Sequence, residues 1–182
     1  MAYGALGVYR LRSPRAVYEI IVPEEPGFDR EQPEHYATID GYMYYASFGG
    51  YMYRVSLQTF SRELYLHMPV FGVITDGERL FFSTADNGAR GLLSHCPATG
   101  DMQALTNVID VNADIRYYNG MIFFVDNNRQ IRSILPCGRP VATHSPTNVA
   151  TFDVRLPYLI FMQHGCDLQK EYNMNTGAVN FP

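Results

Sequence analysis

Four segments of the chain repeat one layout, and no other feature restricts its fold as much. They run over Thr38–Ala46, Ile74–Ser83, Tyr117–Val125 and, less regularly, Arg155–Met162. Three of them place Asp40-Gly41, Asp76-Gly77 or Asn119-Gly120 just ahead of a run of aromatic and branched residues. Glycine adopts the positive φ that a tight hairpin turn needs, and Asp or Asn caps such a turn. From Gly41 to Gly77, Gly120 and Pro157 the intervals are 36, 43 and 37 residues. Each segment continues alike. A second turn follows (Phe48-Gly49-Gly50, Asp86-Asn87-Gly88, Asp126-Asn127-Asn128, His164-Gly165), then a third strand best seen in Tyr51–Ser56. A third turn (Gln58–Ser61, Pro97–Gly100, Pro136–Gly138, Asn175–Gly177) leads to a short outer strand such as Glu63–Leu66 or Met102–Leu105.

Four strands and three turns, four times over at a period of about 39 residues, predict an all-β, β-propeller-like array of four four-stranded blades. An irregular sandwich or barrel shares the turn spacing but not the fixed order of turn chemistry. No segment holds a 3.6-residue apolar period with caps. The order Asp-Gly, aromatic pair, polar turn, Tyr53-Arg54-Val55, Thr-Gly resembles the YWTD-type β-propeller repeats over residues 36–182, and more distantly the hemopexin-like four-bladed propeller. That resemblance implies a fold and no ligand. The family's Trp is absent: Tyr44-Tyr45, Phe81-Phe82, Phe123-Phe124 and Ile160-Phe161 stand in its places.

Ahead of the array, Gly7–Leu11, a Ser13-Pro14 turn and Ala16–Val22 read as a β-hairpin. Pro23–His35 follows as an acidic, Pro-rich linker with nothing to bury. The organisation expected is therefore hairpin and linker over residues 1–35 and the blades over 36–182. The last repeat finds its own outer strand at Ala178–Phe181, so the hairpin is left without an inner pair. Three arrangements follow: a four-bladed ring with an appended hairpin, completion by another subunit, or part of a longer propeller. Open arrays expose strand edges and apolar faces, which points to a protein partner or a homo-oligomer.

Composition narrows the function classes. With 14 Lys and Arg against 18 Asp and Glu, net charge −4, the chain lacks the basic face that nucleic acid requires. Its longest apolar stretch, Leu156–Met162, is far short of the ~20 residues of a membrane span. Met1–Leu11 has no signal-peptide pattern, and three scattered cysteines (Cys96, Cys137, Cys166) make no disulfide framework. A cytoplasmic or virion-associated protein with reduced thiols is expected.

No chemistry-bearing motif stands out. His95-Cys96 and His164-Gly165-Cys166 contain zinc-type ligands but lie in different blades, with no C-x-x-C. There is no nucleophile elbow and no phosphate loop, so neither catalytic residue, metal nor cofactor is assigned. Among the acids near the innermost strands, Asp40 and Asp76 have turn roles, while Asp114 and Asp153 are freer. Arg beside aromatics, as in Tyr53-Arg54, suits protein interfaces, and Tyr and Arg are both enriched there. Asp114, Asp153, Tyr53 and Arg54 are accordingly the candidate binding residues. The function expected is a non-catalytic propeller interaction or scaffold module within a larger, viral or phage-type assembly. A carbohydrate-binding propeller is the alternative, weakened by the absence of Trp, and a hydrolase stands third.

Overall fold

The computed structural model describes residues 8–11, 18–22, 36–46, 50–86, 89–144 and 147–180. All the regular structure in them is β. A two-stranded antiparallel pair, β1 (Val8–Leu11) and β2 (Tyr18–Val22), comes first. The first blade holds β3 (Tyr36–Ile39), β4 (Tyr42–Ala46), β5 (Met52–Ser56) and β6 (Arg62–Leu66). The second holds β7 (Gly72–Thr75), β8 (Leu80–Asp86), β9 (Ala89–His95) and β10 (Met102–Thr106). The third is β11 (Ile115–Tyr118), β12 (Met121–Val125), β13 (Ile131–Ile134) and β14 (Pro140–His144). The fourth is β15 (Val149–Arg155), β16 (Tyr158–Gln163), β17 (Cys166–Asn173) and β18 (Val179–Asn180). Each is an antiparallel meander in chain order, the architecture read from the repeat. The Ser13-Pro14 turn, the linker over 23–35 and the turn residues at 47–49, 87–88 and 145–146 lie outside the described residues.

Turn chemistry sets the registers. Asp40 and Gly41 (φ 48° and 78°), like Asn119 and Gly120 (48° and 76°), both take positive φ, which defines a two-residue type I′ hairpin turn. Ile39 consequently pairs with Tyr42, and Tyr118 with Met121. Asp76 closes its longer turn by accepting the N–H groups of Glu78 and Arg79 on Oδ1, at 3.0 and 2.8 Å.

Side chains alternate across each strand, so the paired aromatics point to opposite faces. In the second blade, Phe82 packs towards the first blade with Val73, Leu80 and Leu93, while Phe81 packs towards the third with Leu92. In the third blade Phe124 faces back and Phe123 faces forward onto Phe152, Leu159 and Phe161 of the fourth. Blades therefore stack face to face through three consecutive cores. The innermost strands lie side by side as β3–β7, β7–β11 and β11–β15.

Candidate functional site

The junction between the first and second blades is filled by polar aromatic side chains. Register aligns Ala37, Tyr44, Arg54 and Glu63 across the first blade on the face towards the second. The Arg54 guanidinium lies over the Tyr42 and Tyr65 rings, 4.8 and 5.0 Å from their centroids, and pairs with Glu63 at 2.5 Å. The Tyr65 hydroxyl meets His95 Nε2 of the second blade at 2.6 Å. Burial pushes the Tyr65 phenol up to about 12 and holds the His95 imidazolium below the ordinary histidine range. This is an inter-blade clamp built from neutral rings.

The same register in the third blade runs Arg116, Phe123, Ser133 and Ala142. Met121 thus stands where the first blade has Tyr42, and Ser133 where it has Arg54. On the facing blade, Leu159 pairs with Tyr172 as Leu80 pairs with His95, so Tyr172 takes the place of His95. His144, near the end of the outer strand, meets Tyr172 edge-on at 6.3 Å and shares a 3.0 Å hydrogen bond between its Nε2 and Ser133 Oγ. The Tyr–His pair of the earlier junction recurs with its members exchanged. A cleft of about 310 Å³ lies between Met121, Phe123, His144, Leu156 and Met174.

The terminal blades differ from the middle ones. In the innermost strands of the middle blades, β7 and β11, every residue but Tyr118 is buried or half-buried. In β3, by contrast, Ala37 and Ile39 are buried while Tyr36 and Thr38 on the far face are exposed. In β15, Phe152 and Val154 are buried while Thr151, Asp153 and Arg155 on the far face are exposed. The far face of the fourth blade continues outward through Tyr158, Ile160 and Met162, all half-buried. Leu168 in β17 is 65% exposed. The first blade's far face is better covered: Met43, Tyr45 and Val55 are buried, with Tyr53, Leu57 and Phe60 against them.

The four residues singled out from sequence are not brought into one site. Tyr53 lies on the far face of the first blade, stacked on Tyr45 at 6.0 Å beneath the Arg62 guanidinium. Its neighbour Arg54 points the opposite way, into the clamp. Asp114, just before β11, accepts the Thr151 hydroxyl at 2.7 Å and pairs with Arg116 at 3.3 Å, tying the third blade to the fourth. Asp153 accepts its own strand's Val154 N–H and pairs with Arg155. Asp114 thus links two blades, whereas Asp153 is engaged only within β15. His95 and His164 stay in separate blades, and no group of three His, Cys, Asp or Glu is placed to hold a metal among the described residues. The three described thiols are unpaired, and hydrogen bonds from Thr99 draw the half-buried Cys96 thiol below its ordinary range. No helix among the described residues is long and apolar enough to cross a membrane. The cleft escaped the sequence reading, whereas exposed apolar blade faces were expected of an open array. The one signal near the cleft is the Tyr–His exchange between blades, which shows only after the registers are aligned.

At the level of sequence, no family profile and no curated protein matches the chain. Solved structures do match. A chain of the Nidogen/Laminin complex superposes over 93% of this chain and 69% of its own length, with a TM-score of 0.66 at 9% identity. TolB from Acinetobacter baumannii matches 91% of this chain and 45% of its own, with a TM-score of 0.65 at 16% identity. BamB from Moraxella catarrhalis matches 80% of this chain and 48% of its own, with a TM-score of 0.58 at 14% identity. The fold is that of β-propeller proteins, and the chain spans less than half the length of BamB and TolB.

Proposed function

We propose that this chain is a non-catalytic β-propeller interaction module acting within a larger assembly. Its contact surface is the far face of the fourth blade together with the innermost strand of the first. The observation that carries this reading is the contrast in burial of the innermost strands: in β7 and β11 every residue but Tyr118 is buried or half-buried, whereas Tyr36 and Thr38 of β3 and Thr151, Asp153 and Arg155 of β15 are exposed. In a stack of blades that bury aromatics between them, an end face with half-covered apolar residues such as Ile160 and Met162 is where another protein surface packs. The greater length of BamB and TolB and the capture of one structural neighbour in a two-protein complex support it. The partner is a second copy or a different protein of an intracellular or virion-type assembly, and the blades are of the YWTD-like kind. Asp114 ties the third blade to the fourth and Asp153 pairs within its own strand, so no hydrolase role is given to them, and a glycan array yields no saturable ligand on this reading.

Position-specific photo-cross-linking tests the proposal. A benzophenone amino acid replaces Thr38 or Asp153 in the intact protein, with Gln103, exposed on the outer strand of the second blade, as control. Adducts from positions 38 and 153 at least tenfold above those from 103 are expected. Equal yields from all three positions, or none from the ends, refute it.

A further inference from the structure

We propose that the hairpin β1–β2 seats on the far face of the first blade of its own chain, as the outer half of a further blade ahead of it. The seat goes beyond the interaction reading and does not rest on it. Four observations carry it.

The first is burial. Met43, Tyr45 and Val55 stand on the face of the first blade turned away from the second, yet they are only 2%, 0% and 0% exposed. A sheet hides large side chains this fully only when a second layer lies on them. The far face of the fourth blade shows the less covered state, with Tyr158, Ile160 and Met162 half-buried. Those residues are not the layer. The described apolar residues packed on Met43, Tyr45 and Val55 are Tyr53, Leu57 and Phe60 of the first blade itself.

The second is supply. From β3 onward no two successive strands are separated by more than eight residues, 107–114. Residues 1–35 alone are long enough to lay a sheet across the first blade, and β1 and β2 already pair there.

The third is register. Val8 pairs with Val22 and Tyr9 with Ile20, skipping one residue of β2; Arg10 then meets Glu19. The third and outer strands of the first blade do the same. Met52 pairs with Leu66 and Tyr53 with Leu64, skipping one residue of β6, and Arg54 meets Glu63. The second blade repeats the skip, with Leu92 on Thr106 and Leu93 on Ala104. The inner pairs of the first three blades have no such irregularity. Since a bulge sets local bend and twist, β1–β2 has the form of the outer half of a blade.

The fourth is what stays open. An outer half without inner strands covers β4–β6 and misses β3, and on that face of β3 Tyr36 and Thr38 are exposed. The connection also suffices. Five residues, 67–71, lead from the outer strand of the first blade to the innermost strand of the second; residues 23–35 give thirteen for the same step from β2 to β3. The hairpin thus closes most of this end, and a partner meets β3 there.

Paramagnetic broadening in the full chain tests the seat. Cys96, Cys137 and Cys166 are replaced by Ser, a nitroxide is attached through Ser13→Cys between β1 and β2, and the methionine methyls carry ¹³C. The Met43 methyl is expected to weaken at least twofold against the reduced label, while Met121 and Met174, in the third blade and after the fourth blade's third strand, keep their intensity. Met43 as sharp as Met121 and Met174, or all three broadened alike, overturns the proposal. A mixture of nitroxide chains without ¹³C and ¹³C chains without nitroxide is expected to leave Met43 sharp. Broadening in that mixture puts the hairpin on a second copy and overturns the seat within one chain. If the triple Ser variant fails to fold, a benzophenone amino acid at position 13 of the otherwise unaltered chain reads the same contact. Its intrachain adducts are expected within residues 43–62, and adducts confined to other blades overturn the proposal.

Discussion

Replacing Arg54 separates a structural clamp from a binding residue. Its guanidinium is sandwiched by Tyr42 and Tyr65 at 4.8 and 5.0 Å and is itself 29% exposed. Each cation–π contact at such a part-exposed site contributes about 0.5–1 kcal/mol. The pair with Glu63 adds little, because Glu63 is 56% exposed and solvent screens it; about 0–0.5 kcal/mol is the discounted figure. The aliphatic stem packs along the same rings and adds roughly another 0.5 kcal/mol. Arg54→Ala should therefore cost about 2 kcal/mol, a factor of roughly 30 in the folding equilibrium. Arg54→Lys keeps the charge but not the flat stacking surface and should still lose about 1 kcal/mol. Glu63→Gln should stay within about 0.5 kcal/mol. The chain has 14 Tyr and no Trp, so urea unfolding is followed by tyrosine fluorescence and far-ultraviolet circular dichroism. With a slope of about 2 kcal/mol/M, Arg54→Ala lowers the midpoint by roughly 1 M at unchanged slope. Arg54→Lys as stable as the parent, or Glu63→Gln as damaging as Arg54→Ala, would refute the stacking argument.

Two further perturbations follow from the same geometry. A Cβ added at Gly91 would lie 2.5 Å from the Thr106 carbonyl oxygen, a backbone atom beside the irregularity between β9 and β10. Gly91→Ala should then cost about 1–3 kcal/mol in the same unfolding assay, and a neutral result would show that β10 moves aside freely. The second concerns pH. Burial depresses the folded-state pKa of His95 and His144 below the ordinary value of about 6.5. Below that value the unfolded chain binds protons that the folded chain does not, so stability falls as pH drops through about 6.5 towards the folded pKa. The slope is at most about 1.4 kcal/mol per pH unit for each ring. His144→Gln should flatten the stability profile between pH 6.5 and 5 relative to the parent; an unchanged profile would mean that His144 titrates alike in both states.

The blades were legible because their turns are written in local chemistry. Asp40-Gly41 and Asn119-Gly120 dictate positive φ at two successive residues, and that alone fixes where β3 meets β4 and β11 meets β12. Paired aromatics such as Phe81-Phe82 told of burial on both faces, since a strand sends neighbours to opposite sides. The roles of the polar residues depend instead on partners remote in sequence. Asp114 looks free until Thr151, 37 positions later, is found donating to it. Tyr53 and Arg54 look like one patch, yet adjacent strand residues face apart, and only Arg54 enters a junction. The cleft is less legible still, because Met121 and Phe123 of the third blade meet Leu156 and Met174 of the fourth only in the folded chain. Matching one junction to another also requires the register of both blades, including irregularities between Met52 and Tyr53 and between Ser133 and Ile134 that no turn residue announces.

We propose that the far faces of the first and fourth blades, at β3 and β15, meet another protein surface and not each other. Pulsed electron spin resonance on the isolated chain measures this directly, with labels on Thr38 and Asp153, both exposed on the far faces of β3 and β15. A second pair on Tyr118 and Asp153 reports the spacing of adjacent innermost strands. The account predicts a Thr38–Asp153 distance clearly longer than the Tyr118–Asp153 distance at every protein concentration. Equal distances for the two pairs in the monomer would mean that the ring closes on itself, and would contradict it.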